Sequence, residues 1–186
     1  DTRHTMQYEA AADEDGEDVD LIDAQISDIR SVFVNNNSNS LQQQQQQQQH
    51  VHCRSLNLHC NYLSHLHGLP FVLPNLAELN LSSNYFTSID IPQLASACMP
   101  SLRNLDLSGN KVSSLLYLPF LPGLEELHVA FNQLDSLQGI QDGAPNLLLL
   151  DARGNLIADE NEVSAPLTSL LQLISLKISG NLLSTQ

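Results

Sequence analysis

The stretch HVHCRSLNLHCNYLSHLHGLP, residues 50–70, holds five of the chain's seven histidines and two of its three cysteines. Taken alone it suggests a zinc site, because His50, His52, Cys53, His59, Cys60, His65 and His67 all carry suitable ligand atoms. That reading requires the segment to be unique in the chain. It is not. Written around its asparagine, the stretch becomes Leu56-x-Leu58-x-x-Asn61-x-Leu63-x-x-Leu66.

The same template returns five times. Leu79 and Leu81 lead to Asn84, Leu105 and Leu107 to Asn110, and Leu127 and Val129 to Asn132. Leu150 and Ala152 lead to Asn155, and Leu176 and Ile178 lead to Asn181. The asparagines lie 23, 26, 22, 23 and 26 residues apart. Six copies in register define a leucine-rich repeat array. The expected fold class is an α/β solenoid: a horseshoe with a parallel concave sheet, and with short loops, 3-10 turns or helices on the convex side.

Each position has a physical reason. Alternate residues of a strand face opposite sides. Leu79 and Leu81 therefore point into the core, while Glu78, Asn80 and Ser82 point out. The asparagine follows where the chain turns away, and its amide both donates to and accepts from backbone groups freed by the bend. A buried backbone group left unpaired costs about 1–3 kcal/mol, so a ladder of Asn61, Asn84, Asn110, Asn132, Asn155 and Asn181 should stabilise every bend. Each repeat buries its apolar side only against its neighbours.

A weaker seventh copy lies upstream, with Val19, Leu21, Ile26 and Ile29 in the apolar places and Ala24 in that of the asparagine. The polar run from Asn35 to Gln49, with eight consecutive glutamines, separates it from the rest. Removing those fifteen residues shortens the Ala24–Asn61 spacing from 37 to 22, an ordinary repeat length. The run therefore reads as an insertion into a repeat. The chain divides into an acidic head (1–17) expected to be disordered, a degenerate capping repeat (18–34), a disordered Asn/Gln-rich insertion (35–50) and six repeats (51–186). It stops inside the sixth repeat's turn and reads as a fragment of a longer protein.

The net charge is −14, with −8 in residues 1–50 and −6 in residues 51–186. Such a balance argues against nucleic acid or an anionic membrane as partner, since both select clustered Lys and Arg. No apolar run reaches the length of a membrane span. Three scattered cysteines favour a reducing compartment.

In the repeat register the histidines and cysteines point in several directions, so no metal site or cofactor is expected. Nucleophile elbows, phosphate loops and His-Glu-x-x-His are absent from the sequence, and the chain reads as non-enzymatic with no small-molecule substrate. The pairs Glu125-Glu126 and Asp159-Glu160 read as solvated edges. The working surface is then the outward side of the strands, formed by Asn57, His59, Glu78, Asn80, Asn104, Asp106, Glu126, His128, Leu149, Asp151, Arg153 and Lys177. Its middle is acidic and its last strands carry Arg153 and Lys177, so the expected protein partner presents a basic stripe. Glu126, His128 and Phe131 are the candidate anchor. Phe131 either joins that anchor or turns into the core, and the sequence leaves both open.

Segments such as NQLDSLQGI (132–140) and LYLPFLPGLEEL (116–127) give short convex sides. They resemble the phosphatase-regulator-like class of intracellular repeats, which implies a protein-binding adaptor. The two longer repeats, after Ile89 and after Ile157, should have longer convex sides. In the first, IPQLASACMP (91–100) suits a one- or two-turn helix. A secreted receptor-type domain is a further alternative, with neither the Gly-x-Ile-Pro continuation nor cysteine-rich caps to favour it.

The order of an acidic head, the cap DLIDAQISDI (20–29) and then SLNLHCNYLSHLHGL (55–69) resembles the amino-terminal part of the centrosomal leucine-rich repeat and coiled-coil domain proteins. The core LNLHCN, Leu56 to Asn61, carries most of that likeness. It implies a scaffold at centrioles, basal bodies or cilia, hence a cytoplasmic, cytoskeleton-associated location. The glutamine insertion and the absence of a heptad pattern depart from that family.

Overall fold

The computed structural model describes residues 11–12, 18–29, 53–66, 73–88 and 99–183. Among the described residues, eight strands follow one another in a single sheet in chain order. They are β1 (Ala11–Ala12), β2 (Asp18–Asp20), β3 (Ser55–Asn57), β4 (Glu78–Asn80), β5 (Asn104–Asp106), β6 (Glu126–His128), β7 (Leu149–Asp151) and β8 (Ser175–Lys177). From β2 to β8 every pairing is parallel and strictly in register, with Val19, Leu56, Leu79, Leu105, Leu127, Leu150 and Leu176 as successive partners. A strand of three residues gains little from its own hydrogen bonds. The register is fixed because a slip by one residue would turn the central residues of β2–β7 out of the core, whereas Leu176 on the last strand is already exposed.

The upstream copy joins the array as its first parallel strand. Leu21, Ala24, Ile26 and Ile29 are buried in the same core as the later leucines. Two residues of the expected disordered head differ from expectation: Ala11 and Ala12 pair antiparallel with Asp20 and Val19. The rest of 1–17, the insertion at 35–50 and the helix anticipated within 91–100 lie outside the described residues, apart from Met99 and Pro100 in a turn.

The asparagine ladder is continuous. Asn84 shows the pattern: its Oδ1 accepts the Leu63 amide at 2.9 Å, and its Nδ2 donates to Leu58 O at 2.9 Å and Leu81 O at 3.1 Å. Each side chain therefore satisfies its own repeat and the one before. Asn61 serves Ile26 and Leu21 in the upstream copy, where Ala24 has no amide to offer. Asn110, Asn132, Asn155 and Asn181 repeat the arrangement on Phe86, Val112, Leu134 and Ile157.

The residue before each asparagine is left-handed: Cys60, Ser83, Gly109, Phe131, Gly154 and Gly180 have φ between 56° and 74°. This backbone twist redirects the chain from strand to convex side, and it favours residues without a large Cβ substituent. Among the described residues the convex side carries turns and two short helices, α1 (Ile140–Gly143) and α2 (Asn161–Leu167). Helix α2 fills the longer repeat after Ile157, and the Asp159 carboxylate accepts the Asn161 amide at its start.

Candidate functional site

The outward side of the sheet gathers the residues expected there. Central strand residues are buried and their flanking neighbours are half-buried or exposed, the burial alternating along β2 to β6. Asp18, Asp20, Glu78, Asp106 and Glu126 place acids on this face, with His59 and His128 between them. Asp18 and Asp20 are exposed and extend the acidic row to the first parallel strand. They were absent from the face as read from sequence, although the Val19-Asp-Leu21 pattern contains Asp20.

Several face residues also hold the backbone. Asn57 Oδ1 accepts the His59 amide, Asn80 Oδ1 the Ser82 amide, Asp106 Oδ1 the Ser108 amide and Asp151 Oδ1 the Arg153 amide, at 2.8–3.3 Å. A short polar side chain at the end of the strand thus caps the bend two residues later. His128 occupies the same place in β6, and its Nε2 lies 3.5 Å from Glu126 Oε2. Asn104 donates to Glu126 at 3.3 Å across β5 and β6.

Two residues expected to face solvent are covered. Ser82 is buried because its hydroxyl donates to Asn80 Oδ1 at 2.6 Å and also meets His59 Nδ1 at 2.8 Å. The Asp151 side chain is only 4% exposed, because Arg153 folds onto it with a two-pronged contact at 2.7–3.2 Å. Lys177 approaches the same carboxylate at 4.0 Å. Hydrogen bonding from Arg153 holds the Asp151 carboxyl below its ordinary range, and Asp151 in turn raises the Arg153 guanidinium. Asp151 is therefore a neutralised acid, and the free negative charge of the face belongs to β2–β6. Leu149 is half-buried on the outward side of β7.

Phe131 stays out of the core, at 65% exposure in the bend after β6. At the other edge of the sheet, Arg103 pairs with Glu125. In the bends, Tyr62 and Tyr85 stack with ring centroids 6.3 Å apart, and Lys111 lies 4.9 Å over the Tyr85 ring.

The described members of the His/Cys cluster do not converge. Cys53 is buried and its thiol donates to Ser55 O; burial pushes its pKa up to about 11, away from the thiolate that binds metal. Cys60 is exposed in its bend, while His59 faces Ser82. His50, His52 and His67 lie outside the described residues. Among the described residues no group of three or more His, Cys, Asp or Glu is placed to hold a metal ion, and no helix is long and apolar enough to cross a membrane.

Comparison with known proteins agrees with this architecture. Residues 52–112 match a leucine-rich repeat model, and residues 100–142 match a model of two such repeats. The array is a leucine-rich repeat domain. Among similar proteins, tubulin-specific chaperone E of Xenopus laevis is 30% identical over 134 residues, which is 70% of this chain and 25% of that one. The 187-kDa microtubule-associated protein AIR9 of Arabidopsis thaliana is 42% identical over 80 residues, 43% of this chain and 4% of that protein. Among solved structures, TLR13 in the TLR13–ssRNA13 complex superposes with a TM-score of 0.62 at 27% identity, covering 75% of this chain and 20% of the receptor. The chain thus spans a quarter or less of each of these proteins.

Proposed function

We propose that the repeats form a protein-docking module of a cytoskeletal protein at the centrosome, basal body or cilium, and that the outward sheet face is its docking surface. One observation carries this reading. From β2 to β6 the face presents Asp18, Asp20, Glu78, Asp106 and Glu126, and no Lys or Arg stands on those strands. A partner with a basic stripe complements it, whereas a polyanion such as RNA would be repelled along most of its length. The two relatives named for tubulin and microtubules support the cytoskeletal setting.

The test compares proteins captured from ciliated-cell lysate by the wild type and by a folded Glu126→Lys/His128→Asp variant. The wild type should retain cytoskeletal partners that the variant loses. Equal recovery would remove the outward face from consideration. A phosphatase catalytic subunit as the lost partner would favour the adaptor reading over the centrosomal one.

A further inference from the structure

Among the six left-handed positions that precede the asparagines of β3–β8, three are glycine, one is serine, one is cysteine and one is phenylalanine. A bulky L residue is the costly choice there, because its Cβ crowds the following carbonyl. Phe131 nevertheless holds φ 56°, and its ring is largely exposed, so core packing does not explain it. A strained, exposed aromatic in an otherwise glycine-friendly place is the kind of outlier that points to a binding role.

The surroundings are shaped around the ring. A Cβ on Gly154 would fall 2.6 Å from Phe131 Cδ1 and 2.8 Å from Cε1, so one side of the ring is seated against the next bend. The backbone beneath is fixed: the Phe131 amide donates to Arg153 O at 2.7 Å, and Asn132 ties the following turn to Leu107 and Val129. The guanidinium of Arg153, whose carbonyl accepts the Phe131 amide, is turned onto Asp151 and engaged there through both Nε and Nη2. Towards the middle of the sheet the adjacent strands carry Glu126 and Asp106.

We propose that Phe131 is the anchor of the docking face and that its open side receives an arginine side chain from an extended segment of the protein partner. This rests on the outward face being the docking surface. The planar guanidinium stacks on an aromatic face and is attracted by its quadrupole, and its positive charge complements the carboxylates that β5 and β6 carry on the outward face. An aliphatic side chain would use the ring but leave those carboxylates without a counter-charge. The array already makes one contact of this class within itself, with Lys111 over Tyr85.

The probe is a short amidated peptide of alternating arginine and serine, so that alternate side chains face the sheet, with a lysine counterpart as control. Binding is measured to wild type and to Phe131→Tyr, Phe131→Leu and Phe131→Gly. The arginine peptide should bind wild type and Phe131→Tyr alike, and Phe131→Leu and Phe131→Gly about five-fold more weakly, in line with a partly desolvated cation–π contact. The lysine peptide should bind wild type more weakly than the arginine peptide does. Phe131→Gly should melt within about 3 °C of wild type, because relief of the left-handed strain offsets the lost ring contact. Arginine-peptide binding unchanged in Phe131→Leu would overturn the proposal, as would no binding to wild type. If Phe131→Leu binds normally while Glu126→Lys/His128→Asp does not, the docking face stands and the Phe131 anchor falls. If neither variant weakens binding, both fall.

Discussion

Asp106 and Asp151 close equivalent strands, β5 and β7, and each accepts the amide two residues later. Their backbone role is the same, yet their charges have different fates. Asp106 is half-buried and, among the described residues, meets no Lys or Arg. Asp151 is buried beneath Arg153 and within reach of Lys177. The position within the repeat therefore fixes what a residue does for the bend, while the neighbouring residues decide whether its charge is available to a partner. The acidic middle of the face and its neutralised end differ by a few side chains placed on the same frame.

The shared frame can be broken first, and with the largest effect. Asn110→Ala would strand the Phe86 amide together with the Leu81 and Leu107 carbonyls in a buried site. The expected loss is about 3–5 kcal/mol, a large part of a typical domain's stability. Urea unfolding should show a lower midpoint at constant slope. Asn181→Ala, at the half-buried end of the ladder, should cost clearly less. Equal losses at the two sites would mean that burial does not set the ladder's strength.

The frame was legible because its signal is periodic. The leucines and asparagines recur at fixed offsets, and each offset has one structural job, so the register of β3–β8 follows from the template alone. The upstream copy was legible for the same reason, even with Ala24 in the asparagine place, because Val19, Leu21, Ile26 and Ile29 keep the template's apolar offsets. The face was legible only as a set of positions. No spacing rule says that Arg153 will fold back onto Asp151 rather than reach into solvent, since that depends on side-chain geometry across a tight bend. The orientation of Phe131 was open for a related reason. Its place before the asparagine allows either direction, and the seat on Gly154 depends on a residue 23 positions away. The pairing of Ala11–Ala12 carries no sequence signal in so short a strand, and the acidic composition around it obscures what there is.

The difference between the two carboxylates gives the next largest effect. Asp151→Asn keeps an oxygen for the Arg153 amide but removes the charge that Arg153 and Lys177 neutralise, at an expected cost of about 1 kcal/mol given the half-exposed guanidinium. Asp106→Asn should be nearly neutral. Because the folded Asp151 carboxyl sits below its ordinary range, its contribution is fully present above the unfolded carboxylate pKa of about 3.9. It declines as pH falls from there through the lower folded value, where the unfolded chain takes up the proton first. The stability gap between wild type and Asp151→Asn should therefore stay constant from about pH 5 to 7 and shrink below about pH 4. A gap that widens on acidification would contradict the neutralised-acid assignment.

The smallest effect concerns the bends themselves. Cys60 and Gly109 share a left-handed backbone, with φ of 57° and 67°. Cys60→Gly relieves the crowding of Cβ, but glycine also loses more freedom on folding, so the gain should be only about 0.5 kcal/mol. Gly109→Ala runs the exchange in reverse and adds a contact: the new Cβ would lie 3.3 Å from Ser83 Oγ, closer than most carbon contacts. It should cost about 1 kcal/mol, seen as a fall of a few degrees in thermal midpoint. The two substitutions have opposite expected signs at equivalent places in the repeat, which separates backbone strain from local packing. Were both to destabilise, Cys60 would be contributing a contact of its own, and the equivalence of the bends along the array would fail at its first full repeat.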